Sequence, residues 1–152
     1  MKAGLIVAGS VILGLLLLLI LLRIILRQVR SSLKTYIREH FDKTEILKST
    51  VSANYFGRRS LGGRQTRGNG ALVLTKDSLY FKRAVPHLEI IIPLTSIFEI
   101  SMPSSFNGRS VGGKLLCVEY KKEQEQDAIA WSLPGTGEWV FELKKRCTHL
   151  SS

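Results

Sequence analysis

Twenty residues without a charge, Ala3 to Leu22 (AGLIVAGSVILGLLLLLILL), open the hydrophobic pattern, which breaks at Arg23. At about 1.5 Å per helical residue the run is about 30 Å long, the thickness of a bilayer's hydrocarbon core. Backbone polar groups in lipid must bond to one another, so a lone apolar run of this length is a helix. It exceeds the roughly 7–15 apolar residues of a cleaved signal's core, and it enters Arg23–Arg27 without a small-x-small cleavage site. The sequence therefore predicts a retained single-pass anchor. Gly4, Gly9 and Gly14 are spaced by five, so the GxxxG dimer motif is absent.

Beyond the anchor the pattern becomes amphipathic. Arg23, Arg27, Arg30, Lys34 and Arg38 fall within about 80° of one another on a helix. Ile25, Leu26, Val29, Leu33, Tyr36 and Ile37 take the opposite side. The helix is predicted to continue to about Phe41 with one cationic face. That face is either a solvated linker surface or a surface laid on anionic headgroups, each near-surface cation contributing about 1 kcal/mol.

From Glu45 the period shortens. Ile46–Phe56 is rich in hydroxyl, β-branched and aromatic residues and predicts a first strand. Gly57–Gly70 (GRRSLGGRQTRGNG) has five glycines, four arginines and no acid, and predicts a mobile cationic loop. Strands are then predicted at 71–75 and 78–82, joined across Lys76-Asp77, and at 87–93, 97–102, 115–120 and 128–133. The polar run KKEQEQD separates the last two. Trp139, Val140, Leu143 and Cys147 return to helical spacing, with Lys144, Lys145 and Arg146 placed where cations suit a helix C-terminus. About seven strands and one closing helix make an antiparallel sandwich or barrel.

Composition adjusts this picture little. The chain of 152 residues has room for one anchor (1–43) and one small domain (44–152). The net charge of +10 divides evenly, since residues 1–43 carry seven basic and two acidic groups, and 44–152 fifteen and ten. The cluster of Lys and Arg just after the span puts that side in the cytoplasm, with the N-terminus outside. Cys117 and Cys147, thirty residues apart and without clustered histidine, predict neither a metal site nor, in a reducing compartment, a disulfide. They read as packing residues.

Gly70-Ala71-Leu72-Val73-Leu74-Thr75, Leu79-Tyr80-Phe81, Ile90-Ile91-Ile92-Pro93-Leu94 with Ile97, and Leu115–Val118 with the helix around Trp139 resemble the pleckstrin-homology-like (PH-like) superfold, in particular its GRAM-type branch. The likeness covers most of residues 45–147. With its leading anchor and the Ala53–Gly57 segment, the whole chain also resembles uncharacterised small bacterial membrane proteins, which would place it in an inner membrane. The resemblance implies a bent barrel of seven antiparallel strands with one end plugged by the C-terminal helix. PH-like domains bind phosphoinositides, other lipids or proteins, so the resemblance implies binding of lipid or protein. Members that bind phosphoinositides use basic residues around the first two strands. Arg58, Arg59, Arg64 and Arg67 lie in the equivalent loop, without the lysine-then-spaced-arginine pattern.

Other chemistry finds little footing. Gly108–Lys114 fits seven positions of the phosphate-cradling GxxxxGK, but Leu115 stands where Ser or Thr must hold magnesium, and a strand follows. His40, His87 and His149 are isolated, and Glu89, Glu99 and Glu119 read as outward-facing strand residues. Tyr55 and Phe56 are too few for a base-stacking array, so nucleic acid is not an expected partner. No enzyme, metal or cofactor is predicted. The expected function is a membrane-anchored module contacting anionic headgroups through the four arginines and the juxtamembrane basic face. The alternative is a membrane-tethered protein-interaction adaptor.

Overall fold

The computed structural model describes residues 2–147, with side chains from residue 9 onward. His149 lies outside the described residues. Helix α1 runs unbroken from Lys2 to His40. Its most apolar window has a mean hydropathy of 2.8 with none of it buried, so by length and composition it can cross a membrane. The chain divides into two compact units after Ser32, eleven residues before the change of composition at 43/44. The first unit is the exposed apolar and basic part of α1.

The second unit begins with the last two turns of α1, whose Leu33 and Ile37 are buried. Strand β1 (Lys48–Arg58) follows, then a 3-10 turn at Arg59–Leu61, β2 (Gly68–Leu74), β3 (Ser78–Arg83), β4 (Leu88–Pro93) and β5 (Ile97–Ser101). A two-residue pair, β6 (Ser105–Phe106) and β7 (Arg109–Ser110), precedes β8 (Leu116–Lys122), β9 (Glu125–Ser132) and helix α2 (Thr136–Arg146). Seven of the strands form one antiparallel sheet in the order β4-β3-β2-β1-β9-β8-β5. The predicted seven strands and closing helix are present. The predicted closure into a barrel is not, because β4 and β5 are the two edges of an open sheet.

The eleven-residue β1 is the pivot. Lys48–Tyr55 pairs with β2 and Asn54–Arg58 with β9, with irregularities at Thr50/Ala53 and Tyr55/Gly57. Such bulges bend a strand, which lets one strand serve two neighbours. Inside the bend, Leu72, Leu74, Leu79, Phe81, Ile92, Val118, Ile129 and Trp131 form the main core. Trp139, Val140 and Leu143 of α2, and Cys147 just after it, join the same cluster, which is why the helical spacing of these residues was legible.

Two stretches differ from expectation. The polar KKEQEQD run is itself strand, with Lys121 paired to Gln126 and Lys122 to Glu125 around Glu123 at φ 59°. The side chains of 121–126 face solvent, so that stretch carries no hydrophobic alternation to read. In Gly108–Lys114 the chain forms β7 and an exposed connection into β8, with no helix for a phosphate loop to open.

Candidate functional site

Strand register sets up the outer face of the sheet. Ser49 lies opposite Val73, Val73 opposite Tyr80, and Tyr80 opposite Ile91, so the four share one row. Ala71, Val73 and Tyr80 are buried, as are the alternating Leu72, Leu74, Leu79 and Phe81. Strands β2 and β3 are thus covered on both faces, and the end of α1 supplies cover on the outer one. Tyr36 stacks near Tyr80 with centroids 6.4 Å apart, and Phe41 meets Tyr80 edge-on at 5.0 Å.

A polar cluster fixes this helix end. The Tyr80 hydroxyl donates to Glu89 Oε1 at 2.6 Å and lies 3.1 Å from the Tyr36 hydroxyl. Lys82 sits 3.4 Å above the Tyr36 ring, and His40 stacks on its other face at 3.7 Å. Lys82 and His87 reach Glu89 at 3.9 and 4.0 Å. Burial and the bond to Glu89 raise the Tyr80 pKa, and the same hydrogen bond, first among its causes, holds Glu89 below the ordinary carboxylate value.

On the other flank of the helix end a groove of about 470 Å³ opens against β1. Lys34, Ile37 and Arg38 line it from α1, Ile46 from the connection, and Ser49, Thr50 and Val51 from the strand. Its wall is apolar at Ile37, Ile46 and Val51, its rim carries two cations, and no carboxylate lines it. Lys34 and Arg38 are exposed, one helical turn apart, and neither has an ionic partner among the described residues. The structure therefore brings two of the five juxtamembrane basic residues together at a concave surface. Arg23, Arg27 and Arg30 belong to the exposed unit that ends at Ser32.

The four arginines of 57–70 are differently placed. Arg58 belongs to β1, with Nε 3.5 Å from Asp127, a charge contact without hydrogen-bond geometry. Arg59 pairs with Glu119 at 2.7 Å. Arg67 stacks on Phe56, its guanidinium carbon 3.9 Å from the ring centroid. Only Arg64 is exposed without a partner among the described residues.

Gln65 pins the predicted loop from within. Its amide nitrogen donates to Arg58 O at 2.7 Å and to Gly62 O, and its oxygen accepts from Tyr55 Oη at 3.0 Å and from Arg58 N at 2.9 Å. Gly57 sits at φ +138°, a backbone conformation strained for other residues, and a Cβ there would press on this amide at 3.1 Å. The buried Arg83 donates to Pro86 O at 2.8 Å and to Thr66 O, while Asn107 reaches Arg58 O and Gly62 O.

Among the described residues no group of His, Cys, Asp and Glu could hold a metal ion. Cys117 and Cys147 are buried and unpaired, and burial pushes the Cys117 thiol up to about 11, away from the reactive thiolate.

No family model and no curated protein matches the chain. Among solved structures it is similar to the C-terminal domain of an unknown protein from Leishmania infantum, at TM-score 0.49 and 14% identity over 68% of this chain and 84% of that one. It is also similar to a chain of the complex of PDZ-RhoGEF DH/PH domains with GTP-γ-S-activated RhoA. There the TM-score is 0.47 and the identity 8%, over 81% of this chain and 40% of that one.

Proposed function

We propose that the protein is a non-enzymatic, membrane-anchored PH-like module whose domain contacts anionic lipid headgroups on the cytoplasmic side of a single-pass span. One observation carries the reading: Lys34 and Arg38 are exposed and unneutralised on the same helix that begins as the apolar run. Exposed apolar residues persist to Leu26, and Lys34 follows by eight residues, about 12 Å of helical chain. The reach of a long side chain brings such a cation down toward the headgroup layer. Retention of the anchor is supported by the burial of Leu33 and Ile37, which makes the end of α1 part of the domain.

Of the apolar side of the juxtamembrane stretch, Leu33 and Ile37 are packed on the domain, so headgroup contact at this helix end comes chiefly from its cations. The adaptor reading keeps one observation in its favour. Among the described residues no strand pairs with the outer side of edge strand β4, on which Ile91 is 62% exposed.

The test is hydrogen exchange on the full chain in lipid nanodiscs, phosphatidylcholine alone against discs rich in phosphatidylglycerol. Slower exchange within residues 33–70 in the anionic discs, reversed by salt, is expected. Equal exchange in both lipids throughout 33–147 would remove headgroup contact and leave the adaptor.

A further inference from the structure

We infer that the groove between the end of α1 and β1 is a seat for one anionic phospholipid molecule; this rests on the headgroup-contact reading and names its site and ligand. The groove combines what an amphiphile of that class presents. Lys34 and Arg38, one turn apart, face the phosphate, where a guanidinium contributes a planar two-donor fork and an ammonium a point charge. The exposed Ser49, in the same outer row as Val73 and Tyr80, adds a hydroxyl donor at the groove. Ile37, Ile46 and Val51 form the wall against which the first acyl carbons lie.

Charge complementarity selects this occupant. Both rim cations lack an ionic partner among the described residues, and no acidic side chain competes for them within the lining. The volume of about 470 Å³ holds a glycerophosphate head and a short length of chain, not a whole lipid. The remainder of the chains then stays in the leaflet into which the same helix leads. An acidic peptide would satisfy the cations too, but it has no use for an apolar wall of three aliphatic side chains beside a membrane-directed helix.

The arginine segment makes a contrasting prediction about location. Three of its four guanidiniums already face Asp127, Glu119 and Phe56, so a lipid phosphate at Arg58, Arg59 or Arg67 has to displace existing contacts.

The experiment uses the full chain in nanodiscs containing a photoactivatable phosphatidylglycerol with a diazirine close to the glycerol, with the matching phosphatidylcholine probe in parallel. The anionic probe is expected to label residues 46–51 in addition to the apolar part of α1, which any bilayer lipid labels. Lys34→Ala with Arg38→Ala is expected to lower the 46–51 labelling by about an order of magnitude, as two near-surface cations are lost. The swap Lys34→Arg with Arg38→Lys retains it. Labelling confined to residues 2–32, equal labelling by the neutral probe, or indifference to the double variant overturns the seat. Label at 57–70 together with anionic protection in hydrogen exchange overturns the seat alone and leaves headgroup contact standing. Absence of both removes the two together.

Discussion

Two cationic regions of this domain share a sign of charge and little else. At 58–67 three of four arginines already have a partner: Arg58 has Asp127, the half-exposed Arg59 has Glu119, and Arg67 has Phe56. At the end of α1, Lys34 and Arg38 face a groove with no neutralising partner. An arginine that already has a carboxylate or a ring contributes to the fold, and releasing it to bind a ligand costs what the fold gained. A cation without a partner carries no such cost. Charge density along the sequence ranks the arginine segment first, whereas the count of unneutralised cations at a concave surface ranks the groove first.

The largest expected effect tests whether the arginine segment is architecture. Arg83→Ala removes a buried guanidinium that donates to Pro86 O and Thr66 O. Hydrogen bonds from a charged donor contribute about 1.5–3 kcal/mol, and two carbonyls lose their partner. Thermal unfolding of the full chain in detergent should show a loss of about 2–3 kcal/mol, with faster amide exchange across residues 62–68. Unchanged exchange there would mean that Gln65 and Asn107 suffice to hold the segment.

A smaller and opposed pair of effects sharpens the contrast. Replacing Arg58, Arg59 and Arg67 by Ala should cost about 1–2 kcal/mol of stability, discounted because Arg59 is half exposed, with anionic-disc protection largely kept. Lys34→Ala with Arg38→Ala should leave stability within about 0.5 kcal/mol and abolish that protection. The reverse pattern would reinstate the arginine segment as the contact surface.

Much of the architecture was legible in the chain because it follows from local period. The apolar run, the strands through Leu72, Phe81, Ile92 and Val118, and the α2 face at Trp139 and Leu143 each announce themselves within a dozen residues. The acids that neutralise the arginine segment do not, since Glu119 and Asp127 lie 60 residues or more along the chain from their partners at Arg59 and Ser60. Nor does the union of Tyr36 with Tyr80 across 44 residues, which fixes the end of α1 and thereby makes the groove. Openness of the sheet was also hidden, because strand count says nothing about whether β4 and β5 meet. Gln65 and Arg83 left no motif at all; each works through backbone atoms that only the folded turn brings near.

Acidification probes the other flank of the same helix end. Glu89 has its folded pKa depressed, chiefly by the hydrogen bond from Tyr80. Its contribution is therefore present above the unfolded carboxylate value near 4.5 and is lost as pH falls through the lower folded value. Stability should decline below about pH 4.5, shallowly because the side chain is exposed to solvent, and Tyr80→Phe should flatten that part of the profile. A profile indifferent to Tyr80→Phe would show that other carboxylates set the acid limb.

The smallest expected effect is the most discriminating within the arginine segment. Arg64 is exposed and has no partner among the described residues, unlike Arg58, Arg59 and Arg67. Arg64→Ala should therefore change stability by less than about 0.5 kcal/mol, as surface substitutions away from structural features do. If exposure of an unneutralised cation is what admits an anionic headgroup, Arg64 is the one arginine of the four that can add to the groove's attraction. Its loss should then weaken anionic-disc protection slightly, at low salt only, because a lone exposed charge is screened within about 10 Å at 0.1 M salt. A loss of protection as large as that of the Lys34 and Arg38 pair would place the lipid contact on the arginine segment after all, at its single free member.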